Sequence, residues 1–175
     1  FDLAKSTAHG HLRTLIHNGY LVKKGERYKL GMNLLRLGQN AKTRNDAYKL
    51  AGDKVEEIAS ETKESADFTV LENSRVITVY NESSHPDDPV FQLGRPFHMH
   101  NSASGKAALA ELSDERVNEI IDQWGLPKTT ENTITDRAEL FTVLEEIRGR
   151  GFAYNNEEHM EGAQGIAKVV HNPDG

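Results

Sequence analysis

The sequence contains no cysteine, which excludes disulfide bonds, thiolate metal sites and cysteine nucleophiles. Its hydrophobic content is only 37%, although 175 residues are enough to bury a core in one or two domains. No apolar run approaches the roughly 18 residues of a membrane helix, and no signal peptide opens the chain. We therefore expect a cytoplasmic protein that has no membrane partner.

Familiar catalytic motifs are also missing. There is no GxSxG sequence, and no candidate nucleophile has a visible base. Ser104-Gly105-Lys106 resembles the end of a phosphate-binding loop, but His100 replaces the leading glycine, and Ala107 replaces the hydroxyl residue that would hold magnesium. These patterns predict neither nucleotide hydrolysis nor any other catalysis, and we expect no cofactor.

Charge divides the chain into two parts of opposite sign. Residues 1–45 contain nine Lys and Arg against two acids, which gives a net charge of +7. The other 130 residues contain 12 bases and 25 acids, which gives a net charge of −13. Because Lys and Arg gain affinity for a polyanion by displacing its counterions, the basic part is a candidate for nucleic-acid binding. The acidic part would be repelled by the same polyanion and needs another role.

The basic part has the pattern of a helix followed by a hairpin. One apolar face predicts a helix over residues 5–18, which Gly19 ends in a left-handed conformation. Two short strands, at residues 20–22 and 27–30, then flank a turn at Gly25. This order is typical of a winged helix-turn-helix, whose helix enters the major groove while the wing lies on the phosphate backbone. An ordinary helix and hairpin with a hydrated polar face is the alternative.

Small polar and basic side chains point away from the apolar face of this helix and line the hairpin, where they can reach phosphates or base edges. Glycine in the middle of a helix costs about 1 kcal/mol relative to alanine. At Gly10, either the backbone approaches DNA closely or one contact is absent. The candidate DNA-binding residues are Lys5, Ser6, Thr7, Gly10, Arg13, Thr14, Lys23, Lys24 and Arg27.

Helical periodicity continues over residues 31–44 and 48–62, and the polar interval at residues 40–46 fits a bend. The acidic part then alternates strands with helices, a pattern that predicts an α+β fold with one antiparallel sheet and helices on one side. The predicted strands are residues 67–71, 75–80, 90–94, 152–154 and 166–170, with Val76, Thr78 and Tyr80 on one face and a loop at residues 83–89. Ser102 and Ser113 are predicted to cap two helices, and a third helix is predicted over residues 136–151.

The start of the helix capped by Ser102 is the candidate ligand site. A helix N-terminus offers unpaired N–H donors and a partial positive charge, which suit a small carboxylate. Small residues at 101–105 would let a ligand reach the backbone, and polar, glycine-bearing stretches follow at residues 155–158 and 162–165. A metal-sensing or enzymatic domain is the alternative, since His98 and His100 would share one face of a strand, with His159 or His171 as a further ligand.

Two groups of motifs resemble the isocitrate-lyase-regulator (IclR) family of transcription factors. The basic part contains Leu3-Ala4-Lys5-Ser6-Thr7-Ala8-His9, Leu12-Arg13-Thr14-Leu15, Asn18-Gly19-Tyr20-Leu21 and Arg27-Tyr28-Lys29-Leu30-Gly31. The acidic part contains His100-Asn101-Ser102-Ala103-Ser104-Gly105-Lys106-Ala107, Ile147-Arg148-Gly149-Arg150-Gly151-Phe152, Glu157-Glu158-His159-Met160-Glu161-Gly162 and Ile166-Ala167. Many relatives carry arginine where this chain has Gly10.

The resemblance implies a recognition helix at residues 5–18, a linker helix that helps to form a dimer, and a GAF-like domain that binds a small organic carboxylate. It also implies that earlier helices and later pocket residues lie outside this chain, whose last residues, 172–175, are expected to form a hairpin turn. Matched by position, the ligand-binding residues are Ala103 and Ser104 as backbone donors, Gly105 in the same helix start, Asn155 in place of an acidic residue, and Gly165 in place of a residue that is often larger and polar.

The fold is therefore expected to be α+β. A partial winged helix-turn-helix would occupy residues 1–31, a helical linker residues 32–63, and a GAF-like antiparallel-sheet effector domain with helices residues 64–175. The expected function is ligand-responsive regulation of transcription, with a double-stranded DNA operator, a small-molecule effector and further copies of the chain, as a homodimer or tetramer, as partners. A DNA-binding protein whose acidic domain only assembles subunits is a third possibility.

Overall fold

The computed structural model describes residues 4–83 and 93–171. The chain divides into two compact units, Phe1–Leu50 and Ala51–Gly175. The loop expected at residues 83–89 and the strand expected at residues 90–94 fall mostly outside the described residues, and the turn expected at residues 172–175 falls entirely outside them. Among the described residues, no helix combines the length and the apolar character needed to cross a membrane.

The first unit begins with the predicted helix and hairpin. Helix α1 (Lys5–His17) is followed by strands β1 (Leu21–Lys24) and β2 (Arg27–Leu30), which pair antiparallel, and by helix α2 (Asn33–Lys42). Gly19, with a φ of 73°, ends α1 as predicted, and Gly25, with a φ of 59°, lies in the hairpin turn. Helix α2 ends at Lys42, within the polar interval at residues 40–46 where a bend was expected, and the next helix begins at Asp46.

Close backbone packing joins the end of α1 to the hairpin and to α2. The amide of Gly31 donates to the carbonyl of Tyr20 at 2.8 Å, and a Cβ added at Gly31 would lie 2.1 Å from the carbonyl oxygen of Gly19. The Asn33 side chain donates to the carbonyl of Asn18 at 2.9 Å. Only glycine fits at position 31, so the hairpin is held at a defined place beside the helix.

Helix α3 (Asp46–Thr62) leads into the second unit, which opens with strands β3 (Ala66–Glu72), β4 (Arg75–Glu82) and β5 (Pro96–Phe97). These strands form an antiparallel sheet in the order β3-β4-β5. The tight turn between β3 and β4 places Asn73 and Ser74 at φ values of 51° and 60°. Two consecutive residues with left-handed backbone conformations match the strand twist at a two-residue hairpin turn.

The prediction that Val76, Thr78 and Tyr80 share one face is wrong for Tyr80. Thr78 pairs with Thr69, whereas Tyr80 pairs with Phe68, so β4 carries one extra residue at this bulge. Because paired residues share a face and successive residues alternate, Tyr80 lies on the side opposite Thr78. There its ring packs against Gly52 of α3, where an added Cβ would lie 2.5 Å from the ring.

Three helices follow; the first two begin after the predicted caps Ser102 and Ser113, and the third begins one residue after Asp136, which was predicted as its first residue. In α4 (Ala103–Ala110), α5 (Asp114–Trp124) and α6 (Arg137–Arg150), the side chain of the preceding residue accepts a hydrogen bond from an amide of the first turn. Apolar side chains of these helices form the core of the second unit. The members that are at most 1% exposed are Leu109, Val117, Leu140 and Leu144.

The last two strands are β6 (Ala153–Asn156) and β7 (Gln164–Ala167). They are antiparallel, as predicted, but β7 begins two residues earlier than expected and is shorter. They form a sheet separate from β3-β4-β5, so the expectation of a single antiparallel sheet does not hold for the described residues of this unit. Helix α4 contacts α6, β6 and β7, and Arg148 of α6 donates to the carbonyl of Ala110, the last residue of α4, and to that of Leu112.

Candidate functional site

Helix α1 presents a continuous exposed polar surface. Its half-buried residues Ala8, Leu12 and Ile16 recur every four residues, and the opposite side is open to solvent. A Cβ added at Gly10 would meet nothing within 4 Å, and the Thr14 hydroxyl donates back to the Gly10 carbonyl at 3.1 Å. The exposed candidate DNA-binding residues of this helix are Lys5, Ser6, Thr7, Gly10, Arg13 and Thr14.

The hairpin carries the other three candidate DNA-binding residues, all of them exposed. Lys24 and Arg27 are paired across the two strands on either side of the turn. Lys23 lies 5.9 Å from the centroid of the Tyr28 ring and 3.9 Å from the Glu26 carboxylate. Among the described residues, Arg13, Lys24 and Arg27 form no salt bridge, so their charges are available to a partner.

The N-terminus of α4 forms the candidate ligand site. The Ser102 hydroxyl accepts from the amide of Gly105 at 3.1 Å, and the Ser102 carbonyl accepts from the amide of Lys106 at 3.0 Å. The amides of Ala103 and Ser104 have no acceptor among the described residues. These two N–H groups are therefore the free donors of the helix, whereas Gly105 uses its own N–H for the cap.

Gly105 supports this site by close packing rather than by a free donor. A Cβ added at Gly105 would lie 2.3 Å from the carbonyl oxygen of Met99 and 2.5 Å from its Cα. Since both atoms belong to the backbone, they cannot move aside as a flexible side chain could. The first turn of α4 therefore rests directly on the segment before it.

Asn155 and Gly165 lie opposite each other in the β6–β7 pair. The Asn155 side chain donates to the carbonyl of Ala163 at 3.1 Å and accepts from the amide of Glu158 at 3.1 Å, so it stabilises the connection between the strands. A Cβ added at Gly165 would meet nothing within 4 Å. Both strands contact α4, but no hydrogen bond joins these two residues to Ala103 or Ser104 in the part of the chain that the structure describes.

Two of the cavities lined by described residues lie elsewhere in the second unit. One, of about 10 Å³, lies among residues that include His98, His100 and Trp124. The other, of about 320 Å³, lies between α3 and the end of β4. None of the candidate ligand residues lines either cavity.

Sequence reasoning missed a buried ion pair next to the candidate ligand site. The Lys106 ammonium group bonds both carboxylate oxygens of Glu158, and the two residues are 3% and 7% exposed. Burial lowers the pKa of Lys106, while the hydrogen bond to Glu158 acts in the opposite direction. The sequence carried only a weak signal, because Lys106 stood out as part of an incomplete phosphate loop and its partner lies 52 residues further on.

Of the histidines considered as metal ligands, His98, His100 and His159 are partly or fully buried, whereas His171 is exposed and its Nε2 lies 3.3 Å from the Glu111 carboxylate. His98 and His100 precede α4 outside any strand, with ring centroids 5.7 Å apart, and Nε2 of His100 lies 3.2 Å from the carbonyl of Pro127. Burial lowers the pKa of His100 to about 4 against the opposing hydrogen bond to Pro127, and burial also lowers the pKa of His98 and of His159. Among residues 4–83 and 93–171, no group of three or more metal-binding side chains is placed to hold an ion.

Comparison with known proteins identifies the relatives of this chain. The model for the C-terminal domain of the bacterial transcriptional regulator IclR matches residues 39–175. KdgR, an HTH-type transcriptional regulator of Dickeya chrysanthemi, is 30% identical over 171 residues, which are 96% of this chain and 56% of that protein. The chain spans 56% to 66% of the length of three such regulators.

Solved structures give the same relationship. An IclR transcriptional regulator from Alicyclobacillus acidocaldarius matches with a TM-score of 0.83 and 29% identity, over 98% of this chain and 70% of that chain. A double mutant of the inducer-binding domain of the transcription factor PobR from Acinetobacter, in complex with 3-hydroxybenzoic acid, matches with a TM-score of 0.65 and 28% identity, over 73% of this chain and 75% of that chain. The relatives are transcriptional regulators and not enzymes, and the mixed helix-and-sheet fold resembles their effector domains.

Proposed function

This chain belongs to the IclR family of bacterial transcriptional regulators, and we propose that it is a DNA-binding regulator that responds to a small organic carboxylate. DNA binding belongs to a partial winged helix-turn-helix at residues 1–31, and effector binding to a GAF-like domain at residues 64–175. Residues 32–63 are the linker between them. The proposal includes no catalytic step.

The support for DNA binding is the charge and exposure of α1 and the hairpin. Arg13 lies on the open face of α1, while Lys24 and Arg27 flank the turn of the hairpin, and none of the three has an acidic partner among the described residues. Placed with α1 in the major groove, these cations would neutralise phosphates, and Ser6 and Thr7 would reach base edges. The acidic charge of the rest of the chain would keep it away from the duplex.

The observation that carries the effector proposal is the pair of free amides at Ala103 and Ser104. Two N–H donors at a helix N-terminus, together with the positive end of the helix dipole, match the two oxygens of a carboxylate. A double mutant of the related PobR domain binds 3-hydroxybenzoic acid, which is a small organic carboxylate. Asn155 and Gly165 would complete the site from the β6–β7 pair, which contacts α4.

Assembly into a homodimer or tetramer is the third part of the proposal. Helix α2 exposes three leucines, of which Leu35 is 61% exposed and Leu34 and Leu37 are each 38% exposed. Exposed apolar side chains that cluster on one helix favour burial against another chain. Two copies would place two α1 helices on a pseudo-palindromic operator.

The substitution Arg13→Ala tests whether DNA binding is separate from effector binding. Arg13→Ala should weaken binding to operator fragments selected from genomic DNA about tenfold or more, without changing the thermal shift produced by a panel of small carboxylates. Lys168→Ala, which removes an exposed lysine from the second unit, is the matched control and should bind DNA as the wild type does. Loss of both activities in the Arg13 variant would contradict two separate binding units.

Ala103→Pro tests the amide donors directly. Proline is tolerated in the first turn of a helix, and the extended backbone of Ser102 suits the residue before a proline. The variant should fold but lose most of its carboxylate response, because one N–H is gone. Arg137→Pro removes the N–H of the first residue of α6, together with the side-chain bonds of Arg137 to Asn118 and Asp122, and should keep the response. A full response in Ala103→Pro would refute the effector site.

A further inference from the structure

The ion pair of Lys106 and Glu158 is the most deeply buried charge pair in the described part of the chain. Both ions lose their hydration, so such a pair is weak evidence of stabilisation by itself. Neither side chain is among the groups that the proposed function brings to DNA or to the effector. Its location suggests a structural coupling, because it links α4 to the connection between β6 and β7.

Glu158 is also held through its backbone. Its carbonyl oxygen lies 2.8, 3.2 and 2.7 Å from the hydroxyl groups of Thr129, Thr130 and Thr133, which belong to the segment between α5 and α6. Its amide donates to the side chain of Asn155 in β6 at 3.1 Å. These backbone contacts hold Glu158 to β6 and to the α5–α6 segment, independently of the bond between its carboxylate and Lys106.

A second chain of hydrogen bonds connects Glu158 to the start of α4. The side-chain amide of Asn101 donates to the Thr129 hydroxyl at 3.1 Å, and the same hydroxyl reaches the Glu158 carbonyl. Asn101 is fully buried, and it directly precedes the Ser102 cap. The first turn of α4 is thus tied to Glu158 twice, once through Lys106 and once through Asn101 and Thr129.

We propose that Lys106 and Glu158 are positioning residues that hold the free amides of α4 in register with the β6–β7 connection. Lys106 lies in the turn that carries the amides of Ala103 and Ser104, and Glu158 is anchored to Asn155. One ion pair therefore joins the two halves of the effector site. The link to effector affinity rests on the proposed function, whereas the link between the two segments does not.

Electrostatic attraction of the effector by Lys106 is an alternative role for this residue, and it makes a different prediction. If Lys106 acted by attracting an anionic effector, removal of the Glu158 charge would strengthen binding. If the pair acts by positioning, loss of either partner weakens binding, because each change releases the same contact. The variants Lys106→Met and Glu158→Gln therefore separate the two explanations.

The test uses the full chain, and its first measurement needs no ligand. Either single change leaves one buried ion without its partner, so we also use the double variant Lys106→Met/Glu158→Gln, which removes both charges and should fold. Hydrogen–deuterium exchange in residues 101–107 and 153–167 should become about tenfold faster in the double variant, with no change in α5. The control Lys128→Met/Glu131→Gln removes an exposed pair whose atoms lie 2.8 Å apart and should exchange as the wild type does.

Effector binding is measured next, with the carboxylates of the panel and with 3-hydroxybenzoate as a named probe. Affinity should fall at least about tenfold in Lys106→Met, in Glu158→Gln and in the double variant, and stay unchanged in the control. Stronger binding by Glu158→Gln, or unchanged exchange in both segments of the double variant, would overturn the positioning role. If no carboxylate binds the wild type, the proposed effector fails, and the exchange result still decides whether the ion pair couples the segments.

Discussion

Replacement of Gly105 by alanine should destabilise the second unit, although alanine is the better helix former. The added Cβ would lie 2.3 Å from the carbonyl oxygen of Met99 and 2.7 Å from its carbonyl carbon. Ordinary contact begins near 3.4 Å, so the start of α4 would have to move by about 1 Å relative to Met99. A shift of that size would disturb the Ser102 cap and the ion pair of Lys106.

Two opposing effects set the magnitude. Glycine to alanine inside a helix contributes about 1 kcal/mol of stability, whereas overpacking a rigid site costs about 1–3 kcal/mol or more. Because the clash is with backbone on a fully packed side, we expect a net loss of about 2 kcal/mol. For a chain of this length, that loss corresponds to a melting temperature lower by about 5 °C.

Gly149→Ala is the matched control, since Gly149 lies on the exposed side of α6 and an added Cβ there meets nothing within 4 Å. It should stabilise the protein by about 0.5–1 kcal/mol. Thermal and urea denaturation of both variants, followed by circular dichroism, give the comparison. A Gly105→Ala protein that melts at or above the wild-type temperature would refute the close packing on Met99.

Three further predictions concern single residues. Burial lowers the pKa of His100 to about 4 in the folded protein, against 6.5 as its ordinary value. The unfolded chain therefore binds a proton between these two values that the folded protein does not. The free energy of unfolding is unaffected by His100 above pH 6.5 and falls by about 3 kcal/mol as the pH drops from 6.5 toward 4. Urea denaturation between pH 4 and 7 checks this, and a profile as steep in His100→Gln would contradict it. Ser102→Ala removes the cap of α4 and should cost about 1 kcal/mol; an unchanged urea midpoint would exclude that role. Gly10→Ala, at an open position of α1, should stabilise the helix by about 1 kcal/mol, and loss of operator affinity without loss of stability would indicate that the DNA backbone passes close to Gly10.

Local features of the fold could be predicted because they depend on neighbours in sequence. The apolar period of α1 and the caps Ser102 and Ser113 each involve residues within one or two turns. The same holds for the left-handed glycine that ends α1 and for the free amides at the start of α4. The candidate DNA-binding residues were named from such local features, whereas the ligand-binding residues, including Asn155 and Gly165, were named from the resemblance to the IclR family, and both sets stay predictions.

The face of Tyr80 and the separation of the two sheets could not be predicted in this way. One extra residue in β4 reverses the side on which Tyr80 lies, and the alternation of apolar residues does not reveal where the bulge falls. The strands β6 and β7 were found only approximately, because which strand pairs with which depends on contacts far apart in the chain.

The sequence by itself determined where α1 begins and which serines cap α4 and α5, which part of the chain is basic, and which helix start carries free amides, since all of these follow from composition and from neighbouring residues. Only the tertiary structure decided that Lys106 meets Glu158, that three threonine hydroxyls surround the Glu158 carbonyl, and that Gly105 rests on the backbone of Met99. The reason is physical: the Lys106 ammonium has to be buried before it needs a partner, and its burial is set by the packing of α4 against strands that lie about 50 residues away in sequence.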